Sequence, residues 1–411
     1  MARHRNQKPL CRSFLLNQKT GGHFNVQGDL TIKSLIHSHS NNSASALDIL
    51  PQVPPRDQDS AHPLRILSLD GGGVRGLSSL IILQEFMERL KKAPGVTKSI
   101  VPADVFNLIV GTSTGGIIAL MLGRLRMSAD EVLDMYITLS KQVFRQGRIA
   151  TGFHFSTSSL MDGVPSLYNE SKIEKLMKQA IAEHLCRTAV VTARSVDASR
   201  PILMRSYAVA HDADLEKFKI WEAARATSAA PLYFRPMKAG LYKVPYLDGC
   251  VSGHCNPSWL AMQEVKHIWP NHKIDLFMSL GTGSSNRVTL RGPINNFARG
   301  FIYLASSTVQ FYEMAWREFR RRYQVSPYVR LSVDNEISKI RLDDPSRLDD
   351  ITAATLAYLE VARNSEKVQR CVELATGIMP SKLGPANEYV FTLSVTCGPE
   401  QYNANLFQKA R

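Results

Sequence analysis

One phrase, an apolar strand, a glycine loop and an apolar helix, occurs twice between residues 64 and 125 of this chain. It reads "LRILSL", "DGGGVRG", "LSSLIILQEFMERLKK" from residue 64, and "VFNLIV", "GTSTGG", "IIALMLGRL" from residue 105. A short apolar run that breaks into glycines and resumes at helical spacing is the opening of a βαβ unit. Further apolar runs at "PILMRSYAVA" and "KIDLFMSLG" read as buried strands, and "SKIEKLMKQAIAEHL" reads as a helix. The pattern predicts an α/β fold, a three-layer α/β/α arrangement whose central sheet is mostly parallel and covered on both faces. Ligands of such sheets sit at the carboxyl ends of strands, where both glycine loops fall.

The 411 residues divide by composition. Residues 1–62 are rich in Asn, Ser, Gln and His and run into "PQVPPRDQDSAHP", so they are expected to be a disordered extension and linker. Residues 63–285 carry the α/β pattern, and residues 286–411 are expected to form a mainly helical, arginine-rich extension packed on it. The formal charge is +14, and residues 287–330 hold eight arginines against two glutamates. That asymmetry fits either a solvated helix face or a surface for anionic phospholipid. Residues 1–28 carry five cations and no acid, as a basic tail or a transit peptide would. No apolar run approaches the roughly 20 residues needed to cross a bilayer, so a cytoplasmic protein, peripheral on membranes at most, is expected. The six cysteines form no C-x-x-C pair and read as unpaired thiols of a reducing compartment.

The loop Gly71, Gly72, Gly73, Val74, Arg75, Gly76 matches G-x-G-x-x-G, yet the next strand ends in "GTSTGG" and not in the acidic residue that a dinucleotide site places there. No Gly-Lys-Ser/Thr follows, so it is not a phosphate-binding P-loop either. Three glycines at a helix start can instead converge their N–H groups on an anion, as an oxyanion hole does. The second loop, Gly111-Thr112-Ser113-Thr114-Gly115, fits G-x-S-x-G, which projects a serine hydroxyl from a sharp strand-to-helix turn. Spacing alone leaves Ser113 as a nucleophile or as a capping serine in a tight turn. A serine needs a base: His211, His254, His267 and His272 lie downstream, and "YLDGC" sets Asp248 before Gly249 at the end of an apolar segment. An Asp-Gly pair is also an ordinary turn. In "AARATSAAPLYFRP" the small residues Ala223, Ala224, Ala226, Ser228, Ala229 and Ala230 would let a helix lie close to the sheet, with Tyr233 and Phe234 lining either core or an acyl pocket.

"LSLDGGGVRG", "GTSTGG", "AARATSAAPLYFRP" and "YLDG" stand in the order and spacing of the patatin-like phospholipases, and the chain resembles fungal members of that family over about residues 64–285. The resemblance implies a lipid acyl hydrolase of phospholipase A type, working through an acyl-serine intermediate with neither metal nor cofactor. It implies that Ser113 is the nucleophile and Asp248 its partner in a Ser-Asp dyad without histidine. Gly71, Gly72, Gly73 and Arg75 correspond to the oxyanion loop, with Gly76, Gly111, Gly115 and Gly249 shaping the turns. The implied partner is a phospholipid or other acyl ester, on an anionic membrane surface, with no nucleic acid expected. A dyad of this kind requires a carboxylate shielded from water, because an ordinary aspartate is a weak base for a serine proton. The family's third motif ends in Gly or Ala, where this chain has Cys250. That position is expected to be a small free thiol beside the dyad, open to oxidation. The alternative reading is a catalytically weak signalling or binding module on the same fold.

Overall fold

A computed structural model describes residues 48–49, 64–96, 99–144, 186–207, 209, 218–231, 233–283, 309–333 and 336–377. The helix expected over residues 171–185 and His211 lie outside the described residues.

In chain order the elements are β1 (Leu64–Leu69), α1 (Gly76–Lys91), the single-turn α2 (Pro102–Val105), β2 (Leu108–Thr112), α3 (Thr114–Gly123), α4 (Ala129–Phe144), β3 (Arg187–Arg194) and β4 (Asp197–Arg205). They continue with α5 (Ile220–Thr227), β5 (Met237–Ala239), β6 (Val244–Asp248), α6 (Ser258–Ile268), β7 (Ile274–Leu280), α7 (Val309–Arg322), β8 (Tyr328–Leu331), α8 (Leu348–Glu360) and α9 (Ala362–Thr376). The strands form one sheet in the order β8-β7-β1-β2-β3-β6-β5, with β4 on the other edge of β3. The pairs from β8 through β3 are parallel, while β4, β5 and β6 are antiparallel to their partners.

The apolar runs of β1, β2, β3 and β7 are continuous because these strands are buried on both faces, whereas β4, expected as a buried strand, is antiparallel and largely half-buried or exposed. Leu67, Leu69, Ile109, Val190, Met278 and Leu280 enter a core beneath α1, α3, α4, α5, α8 and α9. Ile66, Leu108, Val110, Ala189, Val191 and Phe277 enter a second core beneath α6 and α7. Each fully buried leucine or isoleucine in these layers contributes about 2 kcal/mol. Helix α3 packs directly on the sheet, and all its residues from Gly115 to Gly123 are buried.

The segment after residue 285, expected to be mainly helical, also supplies a strand. β8, from the segment after residue 285, is itself an edge strand of the sheet, parallel to β7, with Tyr328 opposite Phe277 and Leu331 opposite Leu280. An apolar "YVRL" run has the same claim on a sheet edge as the earlier strands, and its Arg330 reaches back to the first glycine loop. Within the segment expected to be a linker, Asp48–Ile49 pairs antiparallel with Phe218–Lys219. Among the described residues no helix is long and apolar enough to cross a membrane.

Candidate active site

Ser113 stands between the end of β2 and the start of α3 with φ 56° and ψ −127°. A positive φ is unusual for a residue with a Cβ, and strain of this kind costs about 1–3 kcal/mol. The turn closes only because its flanks are bare: a Cβ on Gly111 would stand 2.1 Å from the Gly115 carbonyl oxygen, and one on Gly115 2.4 Å from that of Asp70. The Ser113 carbonyl accepts the N–H groups of Gly116 and Ile117 at 2.9 and 3.1 Å, but its side chain makes no cap bond. The capping alternative is thereby removed. The hydroxyl hydrogen-bonds to the carboxylate of Asp248.

That meeting follows from strand topology. β2 and β6 lie along the same edge of β3, pointing at each other. Thr112 faces Val191, and Asp248 faces the next residue, Thr192. Asp248 is 1% exposed. Burial pushes its carboxyl up to about 7, opposed by hydrogen bonds from the Ser113 hydroxyl and the Cys250 N–H, the latter at 2.9 Å. Gly249 lets the chain turn away, since a Cβ there would lie 2.6 Å from the Val191 carbonyl oxygen. A hydroxyl beside a shielded carboxylate with a near-neutral pKa can lose its proton to it.

The "RATSAAP" segment ties the two groups together. The Thr227 hydroxyl accepts the Ser113 N–H at 2.9 Å and donates to the Val191 carbonyl at 2.7 Å. The Asp248 N–H donates to the Ala229 carbonyl at 3.0 Å. Ala223, Ala224 and Ala226 are fully buried, so the small side chains do allow close packing. The positioning by Thr227 was missed at the level of sequence, where the only signal is a hydroxyl inside a run of alanines.

The first glycine loop is divided in use. The Gly71 N–H donates to the Cys255 carbonyl at 3.0 Å, and the Gly71 carbonyl accepts the Thr282 hydroxyl at 2.7 Å. Gly72 and Gly73 border the cavity, and the Gly72 N–H reaches the Thr114 hydroxyl at 3.2 Å. Arg75 is corrected: its guanidinium is buried on the carbonyls of Ser338 and Ile340, with Nε 2.7 Å from the latter, and it does not line the cavity. Its charge holds the segment before α8 and is not presented to an anion at the cavity. Gly76 opens α1 where a Cβ would meet the Tyr136 hydroxyl at 2.3 Å, and that hydroxyl donates to the Gly73 carbonyl. Burial drives the Tyr136 phenol well above its ordinary pKa, so it stays a neutral donor. Asp70, fully shielded, is clamped by both ends of the Arg330 guanidinium at 2.9 and 2.5 Å. Arg330 also donates to Ser279 at 2.8 Å.

Cys250 and Cys255 form a disulfide, so the free thiol expected beside Asp248 is absent; Cys186 and Cys371 are free and buried. The case for unpaired thiols rested on C-x-x-C spacing, whereas the six-residue stretch folds back through a 3-10 turn, Gly249–Ser252. The bridge lines the cavity and faces Gly71, whose notional Cβ would lie 2.9 and 3.0 Å from the two sulfurs. The carbonyl of His254, inside the bridged loop, accepts the Thr112 hydroxyl at 2.8 Å.

The described candidate histidines, His254, His267 and His272, stand elsewhere. His254 donates from Nδ1 to the Ser252 carbonyl at 2.9 Å, and burial lowers its pKa. None of His254, His267 and His272 lines the cavity. Among the described residues no cluster of metal-ligating side chains occurs. The cleft encloses about 740 Å³ with its mouth and is walled by Ile117, Leu139, Val143, Phe144, Tyr233 and Phe234, with Ser113 and Asp248 at the polar end. Phe144 and Phe234 close one wall with ring centroids 6.5 Å apart.

Residues 67–257 match the family model described as patatin-like phospholipase. Human calcium-independent phospholipase A2-gamma is 31% identical over 257 residues, covering 58% of this chain and 31% of the human protein. Patatin-like phospholipase 1 of Plasmodium falciparum is 28% identical over 365 residues, covering 80% of this chain and 52% of that protein. Patatin-like protein 1 of Arabidopsis thaliana is 26% identical over 334 residues, covering 74% of this chain and 80% of its own length. The chain spans about a third of the length of the mammalian relatives it matches.

Proposed function

The chain carries the domain of the patatin-like phospholipase family, and from that premise we propose that it is a serine-dependent lipid acyl hydrolase of phospholipase A type. The observation that carries this reading is the hydrogen bond between Ser113 and a buried Asp248, whose carboxyl is raised to about 7, at the end of an apolar cleft.

Ser113 Oγ attacks the ester carbonyl of a bound acyl chain while its proton passes to the Asp248 carboxylate. The oxyanion forms beside the N–H of Gly73, with Thr114 N–H added at the positive end of α3, while the Gly72 N–H is held by the Thr114 hydroxyl; one oxyanion donor is typically worth about 3 kcal/mol of barrier. As the carbon–oxygen bond to the glycerol side breaks, Asp248 returns the proton to the leaving alcohol. Water then attacks the acyl-serine, giving Asp248 a proton, and the second collapse returns that proton to Ser113 and frees the fatty acid. The apolar walls take the acyl chain, and the polar end meets only the ester. Phospholipid is the substrate class favoured by the relatives' names and by the net charge of +14.

The test is hydrolysis of phosphatidylcholine and of a soluble fluorogenic acyl ester by wild type and Ser113→Ala. Turnover of both by wild type and of neither by the variant is expected; equal rates would refute the assignment.

A further inference from the structure

The arginine-rich helix α7 presents much of its charge to its own acids. Arg317 is 3.3 Å from Glu313, and Arg321 and Arg322 are 3.1 and 2.6 Å from Glu318, which Lys266 also approaches at 3.3 Å. Its apolar side is buried, Phe319 stacking on Tyr328 and meeting Phe277 edge-on. Those are the contacts of a solvated helix face.

A different surface is built for a bilayer. The β3–β4 and β5–β6 turns lie side by side because β6 runs back along β3, with Arg194 opposite Tyr246 and the Ser195 N–H on the Pro245 carbonyl at 2.9 Å. Among the described residues the three most exposed large hydrophobics are all on these two tips: Val196 at 82%, Leu241 at 80% and Tyr242 at 79%. A single exposed hydrophobe needs no explanation, but three on adjoining tips do. The tip is a defined turn, Gly240 and Lys243 both left-handed at φ 74° and 51°. Arg194, Arg235, Lys238 and Lys243 are exposed around it. In the segments 194–200 and 235–243 the one acid is Asp197, paired with Arg200 at 3.3 Å.

We propose that Val196, Leu241 and Tyr242, ringed by Arg194, Lys238 and Lys243, form the seat of this chain on an anionic phospholipid bilayer. The proposal rests on the acyl-hydrolase reading, since it supplies that site with its source of lipid. Charge complementarity selects anionic lipid, and a tyrosine flanked by apolar side chains suits the interfacial region. Two convex tips cannot offer the roughly 800 Å² per partner of a stable protein interface. Geometry agrees. β6 leaves the tip and reaches Asp248 within the five residues Val244–Asp248, about 16 Å at roughly 3.3 Å per residue. The tips therefore extend past the carboxyl end of β2, where the cleft lies. Apolar groups of interfacial elements sink about 5–10 Å, which leaves Ser113 roughly 5–10 Å above the headgroup boundary. A lipid ester would rise that far into the apolar cleft.

The test is flotation of the full chain with phosphatidylcholine vesicles with and without phosphatidylglycerol, comparing wild type, Val196→Ser/Leu241→Ser/Tyr242→Ser and Lys238→Glu/Lys243→Glu. Wild type should float with the anionic vesicles. Each variant should lower the bound partition at least about tenfold while hydrolysing the soluble ester at the wild-type rate. Failure of wild type to float, or equal flotation of the variants, overturns the proposal, as does dependence of flotation on a second copy of the chain. Flotation through the tips with no turnover of any acyl ester would leave the seat standing and overturn the function proposed above.

Discussion

Thr112 and Asp248 occupy successive places along one edge of the strand Arg187–Arg194, Thr112 opposite Val191 and Asp248 opposite Thr192. Two strands arriving from opposite directions thus deliver a serine and a carboxylate to one point. The sheet itself positions the pair, and the loops only trim it.

Asp248 sets a pH dependence with a worked sign. Its carboxyl is raised from 3.8 to about 7 by burial, and the proposed base is the ionised form. Turnover per KM on a soluble ester should therefore rise with pH through a midpoint near 7. Stability runs the other way. Between about 4 and 7 the folded state holds a proton that the unfolded state has released, so stability falls as pH rises. Asp248→Asn removes that penalty. Its advantage over wild type in denaturant unfolding should grow across the window by on the order of 4 kcal/mol, at about 1.4 kcal/mol per unit, while its turnover falls at least about a hundredfold. A pH-independent difference would contradict the buried ionisation.

Thr227 is a positioning residue. Thr227→Val keeps the shape but leaves the Ser113 N–H and the Val191 carbonyl without their hydroxyl partner. The loss should lower kcat about tenfold with KM little changed, and Thr227→Ser should restore most of it. A change in KM alone would assign the residue to substrate binding instead.

The Cys250–Cys255 bridge carries both the Cys250 N–H that supports Asp248 and the Cys255 carbonyl that holds Gly71. Treatment with a dithiol, or the double change to serine, should reduce kcat several-fold. Closing so short a loop contributes about 2 kcal/mol, so the fold should survive, as near-ultraviolet dichroism would report. Unaltered kcat after complete reduction would show that backbone bonds alone hold the loop.

Arg330 joins the sheet edge to the first glycine loop. In Arg330→Ala the carboxylate of Asp70 stays buried without its partner guanidinium, which should cost about 3 kcal/mol or more in urea unfolding. Asp70→Asn combined with Arg330→Met should recover part of that loss. A destabilisation below about 1 kcal/mol, the scale of a surface pair, would show that the clamp is loose.

Leu64–Leu69, Leu108–Thr112 and Ile274–Leu280 and the glycine turns are legible because burial on two faces leaves continuous apolar runs and because G-x-S-x-G has a strand before it and a helix after it. Arg187–Arg194, framed by arginines and without a glycine loop, is not, and "PILMRSYAVA" is a half-exposed antiparallel strand and not a buried one. Asp248 was named through resemblance; spacing alone could not distinguish it from a turn residue, since its contact with Ser113 arises from the antiparallel return of β6. The direction of a side chain is less readable still. Arg75 follows the glycines like an anion ligand, yet its guanidinium lies on the carbonyls of Ser338 and Ile340, more than 260 positions away in the chain. The cysteine pairing was hidden because the turn from Gly249 to Ser252 shortens a spacing that is no recognised motif. "YVRL" lacked the glycine loop that marks the earlier strands, so β8 passed as part of a helical tail.

The central claim is that Ser113 forms a covalent bond to acyl carbon, and the most direct measurement is mass spectrometric mapping of the chain after a fluorophosphonate ester. One adduct on the peptide containing Ser113 is predicted, absent in Ser113→Ala and formed at least tenfold more slowly in Asp248→Asn. An unlabelled wild-type chain that nevertheless hydrolyses acyl esters, or an adduct on any other residue, would contradict it.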